Sequence, residues 1–235
     1  MSIFEQVLRV RETMHDACVR SGRADDAVRL VAVTKYVETA RIAEAVAAGV
    51  TAIGENHAQE FTEKLNFYEN NHLDKHFIGQ LQTNKVKYIC GIADLIQSVD
   101  RLSLLDAIAS FAARHGNVQD VLIEVNIGDE PQKGGVDVKD VPLLIAHMAK
   151  LPQVRLRGLM CVPPVSDDET VRVHFRRMRR LFETIQQDNP TLPIDTLSMG
   201  MSHDYPVAIE EGATMVRVGS AIFGARNYLG GTHNG

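Results

Sequence analysis

The chain has 235 residues, 45% of them hydrophobic, and 25 Lys and Arg against 30 Asp and Glu give a formal net charge of −5. That apolar content supplies one large core, and the acidic balance excludes the strong positive field that a nucleic-acid surface needs. Three scattered cysteines, Cys18, Cys90 and Cys161, make neither a disulfide framework nor a zinc pattern and point to a reducing, cytoplasmic setting, while the charged N-terminus is no signal peptide and no apolar run approaches the roughly 20 residues of a membrane span.

In chain order, an amphipathic stretch over 2–20 predicts a leading helix. Short apolar runs then predict strands at 30–35, 51–55, 76–80, 94–99, 121–127, 154–162, 195–199 and 214–219. Between them, helical spacing predicts helices near 39–48, 57–70, 83–89, 101–115, 138–150, 168–188 and 203–211. Continuous apolar strands alternating with helices imply a parallel sheet covered by helices. Eight such units behind one extra N-terminal helix predict an α/β fold, a single (β/α)8 TIM barrel spanning 1–235 as one domain, with 226–235 a frayed tail. A doubly wound open sheet is the alternative. In 168–188 an apolar stripe from Val171 to Ile185 predicts the buried face, which leaves Arg172, Arg176, Arg179 and Arg180 as a solvated one.

In such a barrel the C-terminal strand ends share one rim, where active sites form. Here those ends carry Lys35, Glu55–Asn56, Gly79–Gln80, Ser98, Asn126, Met160, Ser198 to Ser202 and Arg217 to Ser220. The polar loop 128–135 follows the fifth strand and belongs to the same rim. Lys35 closes the run Arg29-Leu-Val-Ala-Val-Thr-Lys35. A buried amine must be paired or become neutral, and a neutral lysine forms Schiff bases with aldehydes. Gly219–Ser220, with Gly200 and Ser202, can present N–H groups and a hydroxyl to a phosphate; Ser202 also reads as the N-cap of the helix at 203. An aldehyde and a phosphate together suggest pyridoxal 5′-phosphate (PLP). Arg217 alternates with Val216 and Val218, so its permanent charge needs a partner. That partner is either a barrel carboxylate such as Glu124 or the pyridine nitrogen of PLP. His57, His76 and His203 show no metal-ligand spacing and read as cap or loop residues; no dinucleotide, Walker or metalloprotease motif is present.

Val31-Ala-Val-Thr-Lys35, Gly54-Glu-Asn56, His76-Phe-Ile-Gly-Gln-Leu-Gln-Thr-Asn-Lys85, Ser98-Val-Asp-Arg101, Arg157-Gly-Leu-Met160, Leu197-Ser-Met-Gly-Met-Ser202 and Met215-Val-Arg-Val-Gly-Ser-Ala-Ile-Phe-Gly224 resemble the YggS/PROSC family of PLP homeostasis proteins over nearly the whole chain. The resemblance implies a barrel like the N-terminal domain of alanine racemase. It implies PLP bound as a Schiff base at Lys35, Arg217 at the pyridine nitrogen, Asn56 beside the cofactor, phosphate around Ser202, Gly219 and Ser220, Met201 among the cofactor-binding residues, and a PLP-handling loop lysine at Lys133. Two stretches depart from the family pattern: Lys35-Tyr-Val-Glu after the reactive lysine, and Ser202-His-Asp-Tyr-Pro206, which puts a ligand role for Asp204 in doubt.

Three functions are compatible with this chemistry: a PLP carrier without robust turnover, an amino-acid racemase, and a Schiff-base aldolase. The aldolase lacks an evident carboxylate–lysine relay. A racemase needs opposed acid–base groups; the chain ends just after its eighth strand, and neither Tyr36 nor Tyr205 is placed by sequence to serve. The expectation is a monomeric, cytoplasmic, non-enzymatic PLP carrier that binds neither nucleic acid nor membrane and serves apo PLP-dependent enzymes.

Overall fold

The computed structural model describes residues 1–130 and 134–224. Eight parallel strands close in sequence order, β1 (Arg29–Val33), β2 (Ala52–Glu55), β3 (Asp74–Phe77), β4 (Leu95–Val99), β5 (Gln119–Glu124), β6 (Val154–Met160), β7 (Thr196–Ser198) and β8 (Met215–Val218), with β8 pairing back onto β1. The helices are α1 (Ile3–Arg20), α2 (Thr39–Ala47), α3 (Ala58–Glu63), α4 (Leu65–Asn70), α5 (Leu102–His115), α6 (Val141–Met148), α7 (Asp168–Asp188), α8 (Tyr205–Glu210) and α9 (Ser220–Phe223). The expected α/β barrel with its leading helix is therefore the fold; the open sheet is not. No described helix is long and apolar enough to cross a membrane. The expected frayed tail lies outside the described residues.

The leading helix starts where its sequence directs. Ser2 accepts the Glu5 N–H and Glu5 accepts the Ser2 N–H, a reciprocal cap that satisfies two donors left over at a helix start. Arg172 and Arg176 are not simply solvated, because they pair with Glu210 and Glu211 and pin α7 to the end of α8.

Residues directly opposite one another in a parallel ladder share a face, so the register sorts the side chains into two cores. Val31, Ala52, Leu95, Leu122, Met160 and Met215 fill the barrel interior. The ladders place His76, Glu124, Ser198 and Arg217 on that same inner face through the pairs Gly54↔His76, His76↔Leu95, Glu124↔Met160, Met160↔Ser198 and Val31↔Arg217. Ile53, Glu55 and Phe77 face outward beneath the helices, where Phe61 meets Tyr68 and Phe77 edge-on at 6.4 Å. Each fully buried aromatic or branched residue in this outer layer contributes about 1.5–3 kcal/mol from leaving water.

Candidate functional site

Closure of the barrel brings the two ends of the sequence together. Lys35 lies at the rim just after β1, Arg217 and Gly219 on or after the adjoining β8, Ser202 after β7, and Asn56 after β2. Four consecutive strand ends thus carry the amine, the guanidinium, the glycine–serine turns and the amide expected from sequence.

The regular ladder of β1 stops at Val33, although Thr34 still donates to Gly54 O at 3.0 Å. Lys35 therefore sits one step beyond the strand, half-buried, in a turn closed by the Val37 N–H on Thr34 O at 3.0 Å. Tyr36, the third residue of that turn, has φ +61°. The expectation of a strand-borne lysine is corrected to a turn-borne one.

Arg217 is 3% exposed. Its guanidinium donates to Ser198 Oγ at 2.6 Å and to the Cys161 carbonyl at 2.9 Å. Burial lowers its pKa, and the nearby Glu124 and Asp204 partly offset the penalty on the charge. No ion pair to Glu124 forms among the described residues; of the two sequence readings for Arg217, the structural ion pair is not made.

The direction of the hydrogen bonds beyond Arg217 follows from its having only donors. Ser198 accepts from it and so passes its own hydroxyl hydrogen to Gln97 Oε1 at 2.7 Å; Gln97 Nε2 then faces His76 Nδ1 at 2.8 Å. His76 must accept at Nδ1 and carries its hydrogen on Nε2. Burial drives its pKa down to about 3, so the ring is neutral. His76 is therefore an interior residue, not the cap or loop histidine its sequence context suggested. Glu124, on the same inner face, is pushed up to about 7, first by burial and then by the nearby Asp100.

Ser202 does not cap the helix at 203. Asp204, just before α8, makes no side-chain cap to the helix either; its Oδ1 accepts the Met201 N–H at 2.6 Å, while Ser202 Oγ accepts the N–H groups of Gly219 at 3.1 Å and Ala221 at 3.2 Å. The loops after β7 and β8 are thereby locked together. A Cβ at Gly219 would stand 3.2 Å from Val33 Cβ, so the absent side chain lets this turn close against the end of β1, two residues before Lys35. Ser220 is exposed and Met201 half-buried. Lys133 lies outside the described residues.

On the other flank, a side chain at Gly79 would collide with the Asn56 carbonyl, so only glycine lets the loop after β3 rest on Asn56. The Asn56 side-chain oxygen is buried with no hydrogen-bond partner among the described residues, which makes it an acceptor awaiting a donor. An open cleft of about 670 Å³ adjoins this flank, lined by Tyr36, Asn56, His57, Gln80 and Lys85 among others. After β5, Val136 bonds back to Glu124 O at 2.8 Å and Asn126 to Val136 O at 2.9 Å, bringing Gly134 against Gln80 and Glu124. The polar loop is thus folded onto the rim at its second end.

A buried unpartnered acceptor, an amine, a guanidinium held by two fixed contacts and a glycine-lined turn fit PLP in donor chemistry and position. Sequence reasoning missed the Ser198–Gln97–His76 chain and the charged cluster around Glu55. The signals were present as polar residues inside apolar strand runs: Gln97 in Leu95-Ile-Gln-Ser-Val99, His76 in β3 and Glu55 in β2.

Residues 16–227 match the family described as alanine racemase, N-terminal domain. The pyridoxal phosphate homeostasis protein of Aquifex aeolicus (strain VF5) is 45% identical over 97% of this chain and 100% of its own length, and that of Escherichia coli (strain K12) is 38% identical over 96% and 97%. Among solved structures, PipY of Synechococcus elongatus PCC7942, determined with PLP bound, superposes with a TM-score of 0.83 at 32% identity, covering 95% of this chain and 100% of that one. An alanine racemase from Streptomyces lavendulae shares the fold, with a TM-score of 0.62 at 15% identity over 58% of its chain. By the extent of these matches, the chain belongs to the pyridoxal phosphate homeostasis protein family, built on the alanine racemase N-terminal domain.

Proposed function

We propose that this chain binds PLP at the β7–β8–β1–β2 arc of the rim, through Lys35, and acts in PLP homeostasis as a carrier rather than an efficient enzyme. The observation that carries this reading is the convergence of Lys35, Arg217, the Ser202–Gly219 turn and the unpartnered Asn56 oxygen on consecutive strand ends. When bound, PLP supplies an aldehyde that condenses with an amine with loss of water, and a pyridine ring that withdraws electrons. Lys35 offers the amine. Ser202 and Ser220, beside Met201, offer hydroxyls suited to a phosphate, and Gly219, whose own N–H is taken by Ser202, leaves the turn open to close approach. Asn56 offers its buried oxygen to a ring hydroxyl. Lys133 stands as the loop lysine of PLP handling.

Arg217 sets how strongly a bound ring would withdraw electrons. A guanidinium keeps its proton at any ordinary pH, so it donates a hydrogen bond to a ring nitrogen without protonating it. The ring then withdraws electrons weakly, which disfavours carbanion chemistry. The apo forms of PLP-dependent enzymes are the receivers this reading requires.

The test is borohydride reduction of the PLP-treated protein followed by peptide mapping. Label on Lys35, and none in Lys35→Ala, is the expected result; label on another lysine overturns the site. Turnover near the median enzyme rate of about 10 s⁻¹ on any amino acid overturns the carrier reading.

A further inference from the structure

The turn that holds Lys35 is strained. Its third position is Tyr36 at φ +61°, a conformation that turns normally assign to glycine or asparagine and that crowds the side chain of an aromatic residue. Such a backbone persists only where its surroundings fix it.

Two side chains grip the peptide groups on either side of Lys35. Lys64 Nζ donates to the Thr34 carbonyl at 2.8 Å, and Glu60 Oε2 accepts the Tyr36 N–H at 2.7 Å. The two grips are bonded to each other at 3.1 Å. Both are anchored below, because Lys64 Nζ also reaches Glu55 Oε1 at 2.8 Å, and that oxygen accepts from Thr34 Oγ1 and Tyr68 OH, each at 2.7 Å. Glu55 is fully buried. Lys64 sits where α3 gives way to α4, so the break between the two helices delivers its ammonium to the turn.

We infer that Glu60 and Lys64 are positioning residues for Lys35: their paired grip on the Thr34 carbonyl and the Tyr36 N–H holds the strained turn that presents the amine. The inference rests on the proposed reaction of Lys35 with PLP. It adds two residues whose contacts are to the peptide groups on either side of Lys35.

The experiment compares wild type, Glu60→Leu, Glu60→Gln and the double variant Glu60→Leu/Tyr36→Gly. Three quantities are read: the rate of borohydride-trapped PLP labelling at Lys35, the affinity for pyridoxine 5′-phosphate, and the melting temperature. Pyridoxine 5′-phosphate lacks the aldehyde and so reports the rest of the site alone. Glu60→Leu is expected to slow labelling by about tenfold to a hundredfold, the scale of a misplaced reacting group, with pyridoxine 5′-phosphate affinity unchanged. Glu60→Gln keeps an oxygen for the Tyr36 N–H and recovers most of the rate. Glycine adopts φ +61° without strain, so Tyr36→Gly restores labelling in the Glu60→Leu background. Parallel loss of both ligands, unchanged labelling in Glu60→Leu, or failure of the glycine to restore it overturns the inference. If wild type itself is not labelled at Lys35, the proposed function falls, and this inference with it. Should Glu60→Leu not fold, the Gln variant and Tyr36→Gly alone decide it: both must label at least as fast as wild type to within the Gln variant's small loss, and a deep loss in either overturns it.

Discussion

Lys35 and Arg217 rise from adjacent strands, yet they are supported on opposite sides of the barrel wall and by opposite means. The amine stands on a charged cluster outside the barrel, Glu55–Lys64–Glu60, packed between β2 and the α3–α4 break. The guanidinium stands on a neutral chain inside the barrel, Ser198–Gln97–His76. The difference follows from where each residue leaves the backbone. Arg217 belongs to a strand whose ladder already fixes its main chain, so only the side chain needs aligning, and uncharged partners do that. Lys35 lies past the ladder, so its main chain must be held from outside, and charged groups grip a carbonyl and an N–H more firmly than neutral ones.

This contrast is open to direct attack by mutation. The largest effect is expected from Lys64→Met, which leaves the fully buried Glu55 carboxylate without its ammonium; breaking a buried pair costs about 3–5 kcal/mol in denaturant unfolding. Adding Glu55→Gln should return a large part of it, as coupled neighbours do in a double-mutant cycle. A loss under about 1 kcal/mol, the level of a surface pair, would erase the distinction between the two supports.

Next in size is a pH effect on the inner side. Burial raises Glu124 from 4.5 to about 7. Between those values the folded chain holds a proton that the unfolded chain has released, so stability falls as pH rises through this window. Glu124→Gln should match the parent near pH 4.5 and exceed it above pH 7 by an amount on the order of 3 kcal/mol. Denaturant midpoints across the range measure this, and parallel curves for the two proteins would refute it.

The smallest effect is expected from Ser198→Ala. It strands one Arg217 donor and the Gln97 oxygen, at about 1–3 kcal/mol for buried groups left unpaired. If it proves more damaging than Lys64→Met, the neutral chain is the stronger support and the comparison reverses.

Most of the barrel was legible because buried parallel strands must be apolar, and each of the eight expected runs overlaps its strand. The largest offsets are shared by β3, expected at 76–80 and found at Asp74–Phe77, and β5, expected at 121–127 and found at Gln119–Glu124. The start of β3 was hidden by its charges: Asp74 pairs with Arg29 at the start of β1, and Lys75 with Asp94 just before β4. Its expected end, Gly79–Gln80, has left the sheet to pack on Asn56. The stretch 57–70 carries one unbroken helical pattern, and its interruption at Lys64 arises from tertiary contacts to Thr34 and Glu55 that no local spacing records. The stretch 83–89 is a 3₁₀ turn over Thr83–Tyr88 rather than an α-helix. At the site, the residue types were legible because strand ends are ordered by the fold. The turning of the Ser202 hydroxyl away from the helix start and onto Gly219 and Ala221 was not, because it depends on how two loops distant in sequence meet.

The chain of hydrogen bonds beneath Arg217 has a further consequence for the flow of protons. It begins at a group that does not release its hydrogen near neutrality and ends at an imidazole whose pKa, about 3, makes it too weak a base to accept one. Every link between them already has its hydrogen committed in one sense. The wire is blocked at both terminals, so this chain orients the guanidinium without relaying protons, and the traffic near neutrality on that inner face falls to Glu124, raised to about 7.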